Sequence, residues 1–434
     1  MASQDYLAIG SAALNTSTGT QDLTISGLGW TPTGAIFFLS RAAANRTHRD
    51  GASTGIIFAD DNGQSKSIGF TSGNAGASST ADRYHDSTDA TLRIGTPNAV
   101  GTALFEATVD SDDASAGPIS NGWRIDVTGV GGGEAYIVKY ILIGNGADCV
   151  VGDLTTAAGV RTVTPGIQAD LGFFIGANEQ VSGFDSGSNL TISFGAHGYD
   201  GTTITQGGVA LYDDDGAGTT STRSSVHDDQ VALHQNTSAT PVWEAHIENI
   251  TSTQFDINRG TGTASNRYIM YLVVDLPAGV EADVSIIDTP TSTGSDWTVS
   301  GVGFQPDFAL LAGSTNATTS TIDGTDSGLI NFSGYDGTTA FSIAHYTEDN
   351  VATTNTSSYV SDEWIDVYDD DGSTQDFRLD PSSSPFNSDG WTVANADITT
   401  ADSTARKWVA ISVGEQAASS GPINRIYNGF IFQG

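Results

Sequence analysis

The chain has 434 residues, 52 of them glycine, and its 51 acidic against 16 basic side chains give a net charge of −35. A field of that sign repels nucleic acid. The single cysteine, Cys149, excludes an internal disulfide framework, and no apolar run approaches the roughly 18 residues that a membrane-spanning helix needs. The acid is spread along the whole chain, and lysine occurs only at Lys66, Lys139 and Lys407. In molar salt, where the Debye length falls to about 3 Å, such repulsion is screened. The composition is that of a salt-adapted protein, an acidic secreted chain being the alternative. The opening, MASQDYLAIG, has neither a basic segment nor a long apolar one, so no signal peptide is expected and release would need another route, such as lysis.

Three landmarks recur in one order and divide the chain into modules at 1–148, 149–278 and 279–415, with a tail at 416–434. The first module holds GWTPTGAIFFL (Gly29 to Leu39), then the densest basic stretch, with Arg41, Arg46, His48 and Arg49, which is expected to pair with acids at a subunit contact. GASTG (Gly51 to Gly55) matches the spacing of a nucleophile elbow, but the residues after it read as strand and turn, where the motif requires a helix. Asp60-Asp61-Asn62-Gly63 is an acidic turn, and GWRIDV with YIVKYILIG closes the module.

The second module repeats the first landmark as VTPGIQADLGFFIG (Val163 to Gly176) and closes on FDIN and YIMYLVVDL. The third repeats it as GFQPDFALLAG (Gly303 to Gly313) and closes on GWTV and WVAISVG. GYDGTT occurs unchanged in both, at Gly198 to Thr203 and Gly334 to Thr339. The runs are short, β-branched and aromatic, and are separated by Asn-Gly, Asp-Gly and Ser/Thr clusters, which is strand and turn chemistry. Near-continuous apolarity in YIVKYILIG and YIMYLVVDL predicts strands buried on both faces. The expected fold is all-β: three pseudo-repeated, jelly-roll-like β-sandwich modules and a short tail. In the tail, Ile426, Tyr427, Phe430 and Phe432 form either an anchor for a neighbouring subunit or a last strand on the third module.

Candidate chemistry is sparse. The pentapeptide YDDDG occurs at Tyr212 to Gly216 and Tyr368 to Gly372. Asp213, Asp215, Asp369 and Asp371 are the candidate ligands for Ca²⁺ or Mg²⁺, since oxygen ligands clustered on a turn suit those ions; a hydrated hairpin turn is the reading against it. The seven histidines form no zinc spacing and read as surface or loop residues. No pair among the acids stands out as a glycosidase couple. Tyr199 and Tyr335, in the GYDGTT turns, are candidates for surface contact, with a structural role as the alternative.

The openings and closings of the three modules, GF-x-P-D-F-A-L-L-A-G and GW-T-V…W-V-A-I-S-V, resemble those of surface modules of tailed-virus structural proteins, and the acidic, lysine-poor composition is similar to proteins of haloarchaeal viruses. The resemblance implies no catalytic residue. It implies a virion protein, either a capsid turret or decoration or a tail fibre, that contacts the host envelope. Its implied partners are copies of itself in a closed trimer or pentamer, other virion proteins, and a host glycan or surface-layer protein. A cellular carbohydrate-binding protein or surface-layer adhesin, and a glycan-degrading enzyme, are the competing classes.

Overall fold

A computed structural model describes residues 6–86, 91–96, 99–109, 115–131, 133–156, 158–177, 183–185, 189–236, 241–260, 267–292, 294–323, 328–368, 375–379, 385–393, 397–398 and 405–416. The described residues form strands and turns, and no helix among them is long and apolar enough to cross a membrane. The first module contains β1 (Leu7–Ala13), β2 (Gly19–Thr24), β3 (Gly34–Ser40), β4 (Arg49–Asp50), β5 (Ala52–Asp60), β6 (Ser65–Ser72), β7 (Ala81–Asp86), β8 (Thr91–Thr96), β9 (Ala99–Thr108), β10 (Gly117–Ile119), β11 (Gly122–Val130) and β12 (Ile137–Ile143). The second contains β13 (Asp148–Thr156), β14 (Gly159–Val163), β15 (Leu171–Ala177), β16 (Gly183–Asp185), β17 (Leu190–Tyr199), β18 (Ile204–Asp213), β19 (Thr222–His227), β20 (Ala232–His234), β21 (Trp243–Ile250), β22 (Phe255–Arg259) and β23 (Arg267–Asp275). The third contains β24 (Val280–Asp288), β25 (Trp297–Ser300), β26 (Gln305–Gly313), β27 (Thr321–Asp323), β28 (Gly328–Tyr335), β29 (Ala340–Thr347), β30 (Thr356–Ser361), β31 (Ile365–Tyr368), β32 (Gln375–Leu379), β33 (Phe386–Asn387), β34 (Gly390–Val393), β35 (Asp397–Ile398) and β36 (Lys407–Glu415).

Each module contributes an inner sheet and an outer layer. The inner sheets have seven strands each, ordered β1-β12-β3-β5-β6-β7-β16, β13-β23-β15-β17-β18-β19-β27 and β24-β36-β26-β28-β29-β30-β4. Side chains alternate faces along a strand, and here both faces are apolar. In β3, Ile36 and Phe38 enter a core common to all three modules, while Ala35, Phe37 and Leu39 face the first module's outer layer. β23 and β36 alternate in the same way. Met270, Leu272 and Val274, like Val409, Ile411 and Val413, point to the common core; Ile269, Tyr271 and Val273, like Trp408 and Ala410, face their own outer layers. Continuous apolarity therefore marks strands that serve two cores at once. Phe38, Phe173, Phe194, Phe332 and Phe341 meet at the centre, with Phe194 and Phe332 5.0 Å apart and Phe38 and Phe332 5.2 Å apart.

The outer layers lie close because the inner sheets are thin at one place. A Cβ on Gly195 would stand 2.2 Å from the Val231 carbonyl oxygen, and one on Gly55 would stand 2.9 Å from that of Arg93. The third module places Asn331 there, five residues before its hairpin aspartate as Gly55 and Gly195 are, and Asn331 Nδ2 donates to the Asp366 carbonyl at 3.4 Å and to Ser342 Oγ at 2.9 Å.

The modules are not strung in tandem; they close into a ring with pseudo-threefold symmetry. Each lends a short strand to the edge of its neighbour's sheet: β4 of the first pairs β30 of the third, β16 of the second pairs β7 of the first, and β27 of the third pairs β19 of the second. At the opposite edge a hairpin docks on the first strand of the next module. Val151 N–H donates to Asp60 Oδ2 at 2.8 Å, Val284 N–H to Thr205 Oγ1 at 2.9 Å, and Ile9 N–H to Asp336 Oδ2 at 2.8 Å. Both edges of every inner sheet thus meet a neighbouring module, which covers part of each strand edge against aggregation.

Candidate functional site

The three inner sheets end together in three loops, 73–80, 214–221 and 348–355, that interlock as a crown. In each loop one residue has left-handed backbone: Ala75 (φ 57°), Gly216 (φ 71°) and Asn350 (φ 58°). That bend turns successive N–H groups toward the next module. Ala75 N–H donates to the Thr354 carbonyl, Gly216 N–H to that of Ser79, and Asn350 N–H to that of Thr220, at 2.7, 2.9 and 3.0 Å. The same serine and threonines donate their own N–H groups back, to the carbonyls of Gly76, Ala217 and Val351. Their hydroxyl oxygens accept from the N–H of Gly76, Ala217 and Val351 at 2.8, 3.0 and 3.1 Å. An amide or carboxylate at each loop entry adds a further clasp. Thr356 N–H donates to Asn74 Oδ1, Ala81 N–H to Asp215 Oδ1, and Thr222 N–H to Asp349 Oδ1.

Directly beneath the crown lies a buried polar chain drawn from all three modules. Ser72 Oγ donates to Asp213 Oδ2 at 2.5 Å, His345 Nε2 lies 3.2 Å from Ser72 Oγ, and Thr54 Oγ1 lies 3.3 Å from His345 Nδ1. With the proton on Nε2, donation runs from Thr54 to His345 to Ser72 to Asp213. Burial pushes Asp213 up to about 7 and His345 down to about 3. A nucleophilic triad needs the imidazole between acid and hydroxyl; here the hydroxyl lies between acid and imidazole, and all three side chains are buried.

Family models, curated proteins and solved structures offer no match to this chain. Its functional reading rests on geometry.

Several sequence expectations change. Tyr199 and Tyr335 serve their turns: their hydroxyls donate to the carbonyls of Gly201 and Gly337, each at 2.8 Å. Tyr335 is only 6% exposed and packs on Trp364, so it is not a surface contact; Tyr199 is half-buried against the second module's outer core. The aspartates of the two hairpins hold the turns, Asp200 Oδ1 accepting from the Thr202 and Thr203 N–H groups and Asp336 Oδ1 from those of Thr338 and Thr339. Asp60 does the same for Asn62 and Gln64, so Asp60-Asp61-Asn62-Gly63 is the first module's counterpart of GYDGTT.

Asp213 and Asp215 are not ligands of one ion, because the first is buried on Ser72 and the second holds Ala81. Among the described residues no three His, Cys, Asp or Glu side chains converge on a metal position. Asp369, Asp371, Ile426, Tyr427, Phe430 and Phe432 lie outside the described residues. GASTG runs straight into β5, with Ser53 buried, so no elbow forms. His197, His227, His234 and His345 are buried, against the expectation of surface histidines.

The basic stretch meets acids as expected, but within the same chain: Arg49 pairs with Glu134 of its own module at 2.7 Å, Arg46 with Glu363 of the third, and Asn45 and the buried Lys139 both contact Asp362. Lys66 pairs with Asp153 at 3.0 Å across the first-to-second seam, and Arg223 with Asp349 at 3.6 Å across the second-to-third. The scarce cations thus stand at all three seams. The crown itself carried no legible signal, since most of its bonds are made by the main chain.

Proposed function

We propose that this protein is a structural block of a virion surface, projecting from the capsid of a haloarchaeal tailed virus as a turret or decoration, or from its tail as a fibre, and contacting the host envelope. One observation carries the reading: a single chain closes three sandwich modules into a pseudo-threefold ring, with the edges of the inner sheets met and neighbouring loops gathered on the axis. That architecture suits a rigid projection. The core is shared and stiff, and the loops can vary without disturbing it. The acidic surface fits assembly in molar salt. Other virion proteins would seat the block, and a host glycan or surface-layer protein would meet its loops. Further copies of the chain would build higher symmetry from a unit that already has three parts.

The test is gold-antibody labelling of particles from lysed cultures in molar salt, viewed by electron microscopy. Label at capsid vertices identifies a turret or decoration, and label at the tail tip a fibre. Label confined to cell envelopes, with bare particles, would sink the virion reading in favour of a cellular adhesin.

A further inference from the structure

The buried polar chain under the crown has a feature that its role in packing does not explain. Asp213 is 2% exposed and Thr347 fully buried, and although the Thr347 hydroxyl neighbours the Asp213 carboxyl and favours its ionised form, the contact falls short of a hydrogen bond at Oδ1. A buried carboxylate oxygen without a donor is costly, and a buried charge without a counter-charge more so. Among the described residues no cation is placed to supply one. The ionisable group reached through Ser72 is His345 of β29, whose ring also packs on Phe70 at 4.6 Å and is held neutral by burial. Along its own strand Asp213 meets another carboxyl, Asp214, and the phenol of Tyr212. Arg223 of β19 is engaged with Asp349, Arg83 of β7 with the Asn189 carbonyl, and Asp215 with Ala81. One proton on Oδ1 removes the charge and lets the carboxyl donate to Thr347 Oγ1, whereas donation by the Thr347 hydroxyl would leave a carboxylate buried without a counter-charge.

We propose that Asp213 is held as a neutral acid where the three modules meet, and that losing this proton loosens the crown, making the crown a pH-responsive closure. The lever is short. The loops of the crown begin immediately after Ser72, Asp213 and Thr347, so a shift of the Asp213 carboxyl toward water moves Gly216 and Ala217, which hold Ser79, and strains the ring of bonds from there. The upward displacement of the carboxyl by burial, to about 7, places the transition in the neutral range.

The test uses the full chain in molar sodium chloride. The infrared band of protonated carboxyl groups and the amide-exchange protection of Gly76, Ala217 and Val351, corrected for intrinsic rates, are followed from pH 5 to 9. The wild type should lose one carboxylic-acid band with a midpoint between about pH 6 and 8, and crown protection should fall about tenfold or more over the same range. Asp213→Asn, which keeps a donor and cannot ionise, should lack that band and keep its protection throughout. Ser72→Ala removes a donor that favours the ionised form, so its midpoint should move to higher pH, which keeps the test decisive if the asparagine variant folds poorly. Crown protection that is flat with pH in the wild type, that falls equally in Asp213→Asn, or whose midpoint stays unmoved in Ser72→Ala overturns the proposal.

Discussion

At the scale of the residue, the three-part symmetry shows where chemistry departs from packing. The register of the hairpins places Phe70, Val209 and His345 at equivalent positions, six residues before the hairpin aspartate on the paired strand. Two are apolar and one is a histidine, fully buried and held on Thr54 and Ser72. Its folded-state pKa, pushed down to about 3, lies below the ordinary value of 6.5. A depressed histidine contributes stability that is present above about pH 6.5 and is lost as pH falls, because the unfolded chain takes up the proton first. His345→Phe copies the residue of the first module and removes that linkage. Between pH 7 and pH 4 the variant should gain about 3 kcal/mol on the wild type, since each pKa unit is about 1.4 kcal/mol. Chemical denaturation at the two pH values measures this; a constant gap between the two proteins would refute it.

At the scale of the element, long strands were legible and short ones were not. β3, β12, β23, β26 and β36 stand out in sequence because they are apolar on both faces, and GYDGTT marks two hairpins because a turn aspartate, a glycine and two threonines leave little choice of geometry. The third copy, at Asp60, keeps the aspartate and glycine but replaces the flanking residues, so it reads as an acidic turn. The three crossing strands are two or three residues long, too short for any periodicity, and Arg49 and Asp50 look like part of a basic stretch. His345 was misread for a related reason: its partners, Thr54 and Ser72, come from another module and no local pattern announces them, whereas His197 is held by the Ala169 carbonyl of its own module. The crown is the extreme case, since its specificity lies in backbone bends and in single hydroxyls at Ser79, Thr220 and Thr354. Removing one of these acceptors, as in Thr354→Val, strips the partner from the Gly76 N–H while keeping the side-chain volume. The expected cost is about 1 kcal/mol in the global unfolding free energy. Limited proteolysis should also cut faster within 73–80 and 348–355, while the 214–221 loop, bonded to Ser79 and, through its own Thr220, to Asn350 and Val351, should change less. Equal acceleration in all three loops would mean that the clasp acts only through global stability.

For the whole molecule, the question is why three related modules close one ring within one chain instead of exchanging freely between chains. Seams of identical chemistry would allow any module to sit beside any other. The seams differ at one equivalent position of the first strand, occupied by Ser11, Asp153 and Ile286, as the register against Lys139, Met270 and Val409 shows. The third-to-first seam carries Lys139 with Ser11 and Asp362, the first-to-second carries Asp153 with Lys66, and the second-to-third packs Ile286 on Gly207. A misplaced module would bury an unpaired lysine or aspartate against an apolar surface, which costs several kcal/mol. Difference between the seams therefore enforces the order, and the common aromatic core makes the ring unfold as one body. Asp153→Lys sets a second cation beside the nearly buried Lys66 and should destabilise the chain by about 2–4 kcal/mol. Lys66→Asp together with Asp153→Lys restores the pair in reverse and should recover more than half of that loss, whereas two independent effects would simply add. Calorimetry in molar salt should show one transition for the wild type and for both variants. A single variant that melts in two steps, leaving part of the ring intact, would mean that the seams hold separate domains together and that the shared core does not bind them into one.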